Sequence, residues 1–70
     1  MEILGKRMRE VRKEKKLRQI DAANALGVAW TTYQRYEAGE REPMAPFIAD
    51  FARYFGVSAD YLLGLKDERQ

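Results

Sequence analysis

Three side chains within five residues, Thr31, Gln34 and Arg35, fall on one side of a short amphipathic stretch. At about 100° per residue, Tyr33 and Tyr36 lie within roughly 60° of each other and define the opposite, buried side. Trp30 and Glu37 then occupy one flank and Thr32 the other. The outward face offers a methyl with a hydroxyl, a primary amide and a guanidinium. These groups match a thymine methyl, an adenine edge and a guanine edge, as a duplex displays them in its major groove. On an arbitrary helix the same face would be no more than a solvated surface.

Other chemistries are poorly supplied. The chain has no histidine and no cysteine, and its one serine, Ser58, is better placed as a helix cap than as a nucleophile. The two nearest carboxylate pairs, Glu40/Glu42 and Asp67/Glu68, fall in a loop and in the tail, not in a cleft suited to acid–base work. No phosphate-cradling glycine loop is present. An enzyme is therefore not expected, nor is a cofactor or a metal site.

The elements that must carry the outward face read as helices throughout. The chain of 70 residues suits one all-α domain, expected over residues 1–65, with a charged tail at 66–70. Leu4, Met8 and Val11 set a buried stripe on a first helix from Glu2 to Lys15. A second runs from Gln19 to Leu26 and stops at Gly27, and a third from Ala29 to Ala38 stops at Gly39. Pro43 and Pro46 punctuate the loop before a fourth helix bearing Phe47, Ile48, Phe51, Ala52 and Phe55. Ser58 caps a short fifth helix through Leu63, and the tail from Lys66 to Gln70 is expected to fray. No apolar run approaches a membrane span and no signal-peptide core opens the chain, so the expected location is the cytoplasm. The lack of cysteine fits a reducing compartment.

Charge is unevenly spread. Residues 1–18 carry eight basic and three acidic side chains, whereas residues 42–70 carry three basic and five acidic ones. The first helix and the turn after it thus offer either a face for a polyanion or an ordinary solvated surface. Charge alone does not choose between them.

The segment Gln19–Glu40 narrows the choice. Two helices crossing steeply through a tight turn need a small residue at the crossing, which Ala23 supplies. The turn needs a residue able to take positive φ, which Gly27 supplies four positions later. Ala22, Leu26, Val28, Tyr33 and Tyr36 fill the angle between the helices. With the Arg7…Arg12 pattern, the LRQ…A…LGV core at Leu17–Val28, YEAGEREP at Tyr36–Pro43 and FGVSADYLL at Phe55–Leu63, the chain resembles the phage repressor and Cro, or Xre-like, helix-turn-helix family. The resemblance runs from about Leu4 to Leu63.

That resemblance implies a compact five-helix DNA-binding domain of the lambda-repressor type, in which the third helix enters the major groove. It implies base contacts by Trp30, Thr31, Gln34 and Arg35. Trp30 replaces the family's usual polar residue, so thymine-methyl or sugar packing is expected there. Phosphate contacts are implied for Gln19 and expected for Arg18, Thr32 and Arg41. Arg18 stands where the family has a serine-type cap, a change that weakens capping by something like 1 kcal/mol. Arg12 and Glu37 are expected to form a structural ion pair.

The implied role is that of a transcriptional regulator, a repressor in the first instance. An antitoxin or adaptor that binds protein is the alternative within the same fold. The expected partners are double-stranded DNA, as a near-palindromic operator, and a second copy of the chain. The dimer is expected to be weak and to form through the apolar end Tyr61, Leu62, Leu63 and Leu65, of which Leu62 and one neighbour are expected to pack inward and the other two to leave an exposed patch.

Overall fold

Leu4, Met8 and Val11, spaced to fall on one helical stripe, are almost fully buried beneath the rest of the chain. They belong to α1 (Glu2–Glu14), the first of five helices in the computed structural model, which describes residues 1–70. The others are α2 (Gln19–Leu26), α3 (Trp30–Ala38), α4 (Ala45–Phe55) and α5 (Ala59–Leu62). There is no strand. The sequence boundaries hold to within a residue or two, except that Pro46 lies inside the first turn of α4 and not in the loop before it. The first-turn N–H groups of a helix have no internal partner, so a proline there sacrifices nothing.

All five helix ends share one device. An N–H two or three residues past the helix reaches back five positions, as Val28 does to Ala23 (3.0 Å), Glu40 to Arg35 (3.0 Å), Val57 to Ala52 (3.1 Å) and Leu65 to Asp60 (2.8 Å). The residue between must be left-handed. Gly27 takes φ 73° in this role after α2. After α1 the same bond runs from Leu17 to Arg12 (3.3 Å), but the left-handed residue is Lys16, at φ 59°.

The core is an aromatic row set against the α1 stripe. The Phe47 ring lies 4.8 Å from that of Tyr36, and the Phe51 ring 4.4 Å from that of Phe55, in tilted contacts that add to simple burial. Ala22 and Ala23 are fully buried where α2 meets α3. Gly5, inside α1, is buried where that helix crosses the C-terminal end of α3.

Of the four C-terminal residues offered for a dimer face, Leu62 and one neighbour, Tyr61, pack into the core as expected, which removes both from that face. The tail, expected to fray, is docked. Arg7 donates to the carbonyls of Tyr61 (2.5 Å) and Lys66 (2.8 Å), bonds Asp67 (3.1 Å), and lies over the Tyr61 ring. Arg69 bridges to Glu14, holding that carboxyl below its usual pKa, while its carbonyl accepts from the Ser58 N–H (2.6 Å). Asp67 and Arg69 thus find partners on α1, and the tail backbone accepts from Arg7 and from the Ser58 N–H.

Candidate nucleic-acid interface

The outward face of α3 is set by what its inner face must bury. Tyr33, Tyr36 and Glu37 are buried, which leaves Thr31 and Arg35 exposed and Gln34 and Thr32 half-buried on the other side. Trp30 opens the helix with 49% of its surface exposed, so it is not folded onto the core. The side chains singled out for base contact therefore share one accessible surface. Arg35 has no carboxylate within bridging distance, and neither does Arg41 in the loop after α3.

One buried carboxylate anchors this helix. Glu37 accepts two hydrogen bonds from Arg12, Nε to Oε2 at 2.7 Å and Nη2 to Oε1 at 3.0 Å. Arg12 also donates to the Leu17 carbonyl (2.8 Å), which ties the end of α1 to the same point. Burial opposes ionisation of Glu37, but the hydrogen bonds from Arg12 and Gln19 outweigh it and hold the carboxyl below its ordinary pKa. The bond to Glu37 raises the Arg12 guanidinium in turn. The neighbouring Tyr33 hydroxyl is buried without a hydrogen-bond partner, and burial, reinforced by Glu37, pushes its pKa up.

Gln19, which the resemblance assigns to phosphate, has a partner inside the protein. Its side-chain amide donates to Glu37 Oε1 (3.0 Å). One bond uses only one of the amide's two hydrogens, so the second stays available at the half-buried start of α2.

Arg18 is more committed. Its guanidinium grips Asp21 with two bonds of 3.0 and 2.9 Å, and Asp21 also accepts from the Arg18 backbone N–H (2.9 Å). These bonds pull the Asp21 pKa down to about 2. Asp21 thereby supplies the N3 half of a capping box, whereas an arginine, having no acceptor, cannot supply the N-cap half. The price is local charge, because the Arg18 cation is matched on the spot.

Neither α2 nor α3 has a side-chain acceptor capping its first turn. The first backbone N–H groups of both helices are left open on the same molecule, and such groups favour anions.

Three residues of this architecture escaped the sequence reading. Gly5 lets α1 approach the end of α3, and its only signal was a glycine inside an otherwise helical pattern. Arg7, visible as part of a family pattern, docks the tail. Arg9 stands 3.8 Å from Glu37 Oε1 with half its side chain exposed, and its signal was a position one turn before Arg12.

A family model described as Helix-turn-helix matches residues 8–62. The chain is 39% identical over 62 residues to YobD of Bacillus subtilis (strain 168), an uncharacterized HTH-type transcriptional regulator, covering 89% of this chain and 55% of YobD. It is 41% identical over 61 residues to YazB of the same organism, also an uncharacterized HTH-type transcriptional regulator, covering 87% of this chain and 88% of YazB. Apart from YazB, it spans about half the length of the curated relatives it matches. Among solved structures, the P22 c2 repressor in complex with a synthetic operator superposes with a TM-score of 0.79 at 30% identity, covering 84% of this chain and 89% of that one.

Proposed function

We propose that this chain, which belongs to the phage repressor and Xre-like helix-turn-helix family, binds duplex DNA sequence-specifically through the major groove and regulates transcription as a repressor. The observation that carries the reading is the outward face of α3. Thr31, Gln34 and Arg35 stand together on a helix whose opposite side is buried through Tyr33 and Tyr36 and whose flank is locked by Glu37 and Arg12. Such a helix presents base-reading groups without first having to order itself, which lowers the cost of binding. Trp30 packs on a thymine methyl or a sugar beside them. Gln19, Thr32 and Arg41, with the open N–H groups of α2 and α3, hold the phosphates on either side. Arg18, already matched by Asp21, contributes less. The resemblance to a repressor bound to its operator supports the choice of partner.

One recognition helix spans few base pairs, so two copies are expected on a near-palindromic site with half-site centres roughly 34 Å apart. With Tyr61 and Leu62 buried, the apolar groups left for pairing are half-buried Leu63 and Leu65, the latter 73% exposed. That is enough for a weak contact completed on DNA, in the cytoplasm, and too little for an obligate dimer.

Selection of bound duplexes from a random pool tests the whole reading. A recovered consensus with two related half-sites, bound with salt-dependent affinity, is expected. No enrichment, together with no salt-sensitive affinity for any duplex, would overturn it and leave a protein-binding module.

A further inference from the structure

Ion pairing divides the surface unevenly. Arg7 is matched by Asp67, Arg18 by Asp21, Arg53 by Asp50 and Arg69 by Glu14. Lys6 and Lys13, both exposed on α1, have no carboxylate within bridging distance. Arg9 belongs with them. At about 100° per residue, Lys6, Arg9 and Lys13 fall within roughly 60° of one another, separated along the axis by about 4.5 and 6 Å. Glu2 on the same side and Glu10 at its edge are the nearest acids on the helix, and neither bridges to any of the three.

This stripe adjoins α2 and α3 at Glu37. Arg9 Nε lies 3.8 Å from the Glu37 oxygen that accepts the Gln19 amide, so its guanidinium stands beside the start of α2 and the end of α3. Glu37 is already matched by Arg12 through two short bonds. Arg9 therefore leaves net positive charge at that point, with 51% of its side chain open.

Building on the duplex-binding reading, we infer that Arg9, Lys13 and Lys6 form a track for the sugar–phosphate backbone flanking the bases read by α3. The footprint then extends beyond the groove along α1. The chemistry fits a row of phosphodiesters better than a single small anion: the three cations are spread along one helix face, with no enclosing pocket and no shared focus. Contacts of this kind add affinity and fix register without reading sequence.

The test needs no known operator, because backbone contacts act on any sequence. Binding to a mixed-sequence duplex of roughly 30 base pairs is followed by fluorescence anisotropy across a salt series. Each phosphate contact contributes about 0.9 to the slope of log affinity against log salt. Arg9→Gln with Lys13→Gln is expected to reduce the slope by about two and to weaken binding about tenfold at low salt. Lys13→Gln alone, at a side chain that bridges to no carboxylate, is expected to reduce the slope by about one. The control Arg53→Gln, on α4, keeps the wild-type slope. If both stripe variants keep the wild-type slope while the wild type is salt-sensitive, the α1 track is wrong and the duplex-binding reading stands. If the wild type itself shows no salt-sensitive affinity, both fall.

Discussion

The Gly5 backbone lies directly beneath the carbonyl of Glu37, so closely that a methyl group at position 5 would sit 2.4 Å from that oxygen and 2.7 Å from the Tyr36 carbonyl. Both obstacles are main chain, which cannot swing aside as a side chain can. Gly5→Ala must therefore push α1 away from the end of α3. On helix propensity alone the change would stabilise by up to about 1 kcal/mol. The overpacking is expected to outweigh this and leave a net loss of about 1–3 kcal/mol in urea denaturation. A gain in stability would show that the helices separate without cost.

Glu37→Ala leaves the Arg12 guanidinium buried and unpaired, since the two side chains are only 8% and 0% exposed. A loss of roughly 3 kcal/mol is expected. Glu14→Ala, on the exposed side of α1, should leave the melting midpoint nearly unchanged. The same pair predicts acid sensitivity. Glu37 has a lower pKa folded than unfolded, so its contribution is complete above the ordinary value of 4.5 and is lost as the pH falls through the folded value. Stability should therefore decline on the acid side in the wild type and decline less steeply in Glu37→Gln. Parallel acid limbs would argue against an ionised Glu37.

Lys16 occupies the left-handed position that glycine fills after α2, α3 and α4, at φ 59°. A side chain there costs energy that glycine avoids, part of which returns as glycine's greater freedom in the unfolded chain. Lys16→Gly is expected to stabilise by about 0.5–1 kcal/mol. Lys16→Ala should bring no such gain, and equal midpoints for the two variants would count against strain at this position.

Arg35→Ala removes the exposed guanidinium from the reading face without touching the core. It is expected to abolish discrimination at one base pair, about 1–3 kcal/mol, while keeping the melting midpoint. The check is the ratio of affinities for the selected duplex and a random one. An unchanged ratio would remove Arg35 from the base-reading set.

Leu65→Glu places charge on the exposed part of the C-terminal apolar pair. Sedimentation should find the wild type largely monomeric at micromolar concentration and two copies on a palindromic duplex. The variant is expected to bind the duplex without cooperativity. Cooperativity that survives the substitution would place the contact elsewhere.

What the amino-acid order determined by itself was whatever repeats locally. The 3.6-residue stripe of Leu4, Met8 and Val11, the stops at Gly27, Gly39 and Gly56 and the Ala23/Gly27 spacing all depend on neighbours within a few positions. They were enough for five helices, for the packing of α2 against α3, and for the side of α3 that carries Thr31, Gln34 and Arg35. The pairing of Arg12 with Glu37 came from the family resemblance and not from periodicity.

Tertiary structure decided the rest, because those facts join residues far apart in the chain. Gly5 reads locally as a weak point in a helix, and only the crossing of α3 reveals that no larger residue fits. Gln19 reads as a phosphate donor, and only the buried Glu37 carboxylate shows that one of its hydrogens is already engaged. The tail reads as charged and free until Arg7 and Arg69 find their partners across more than 50 positions. Such contacts have no period and leave no local trace, since they depend on where the whole chain brings two surfaces together.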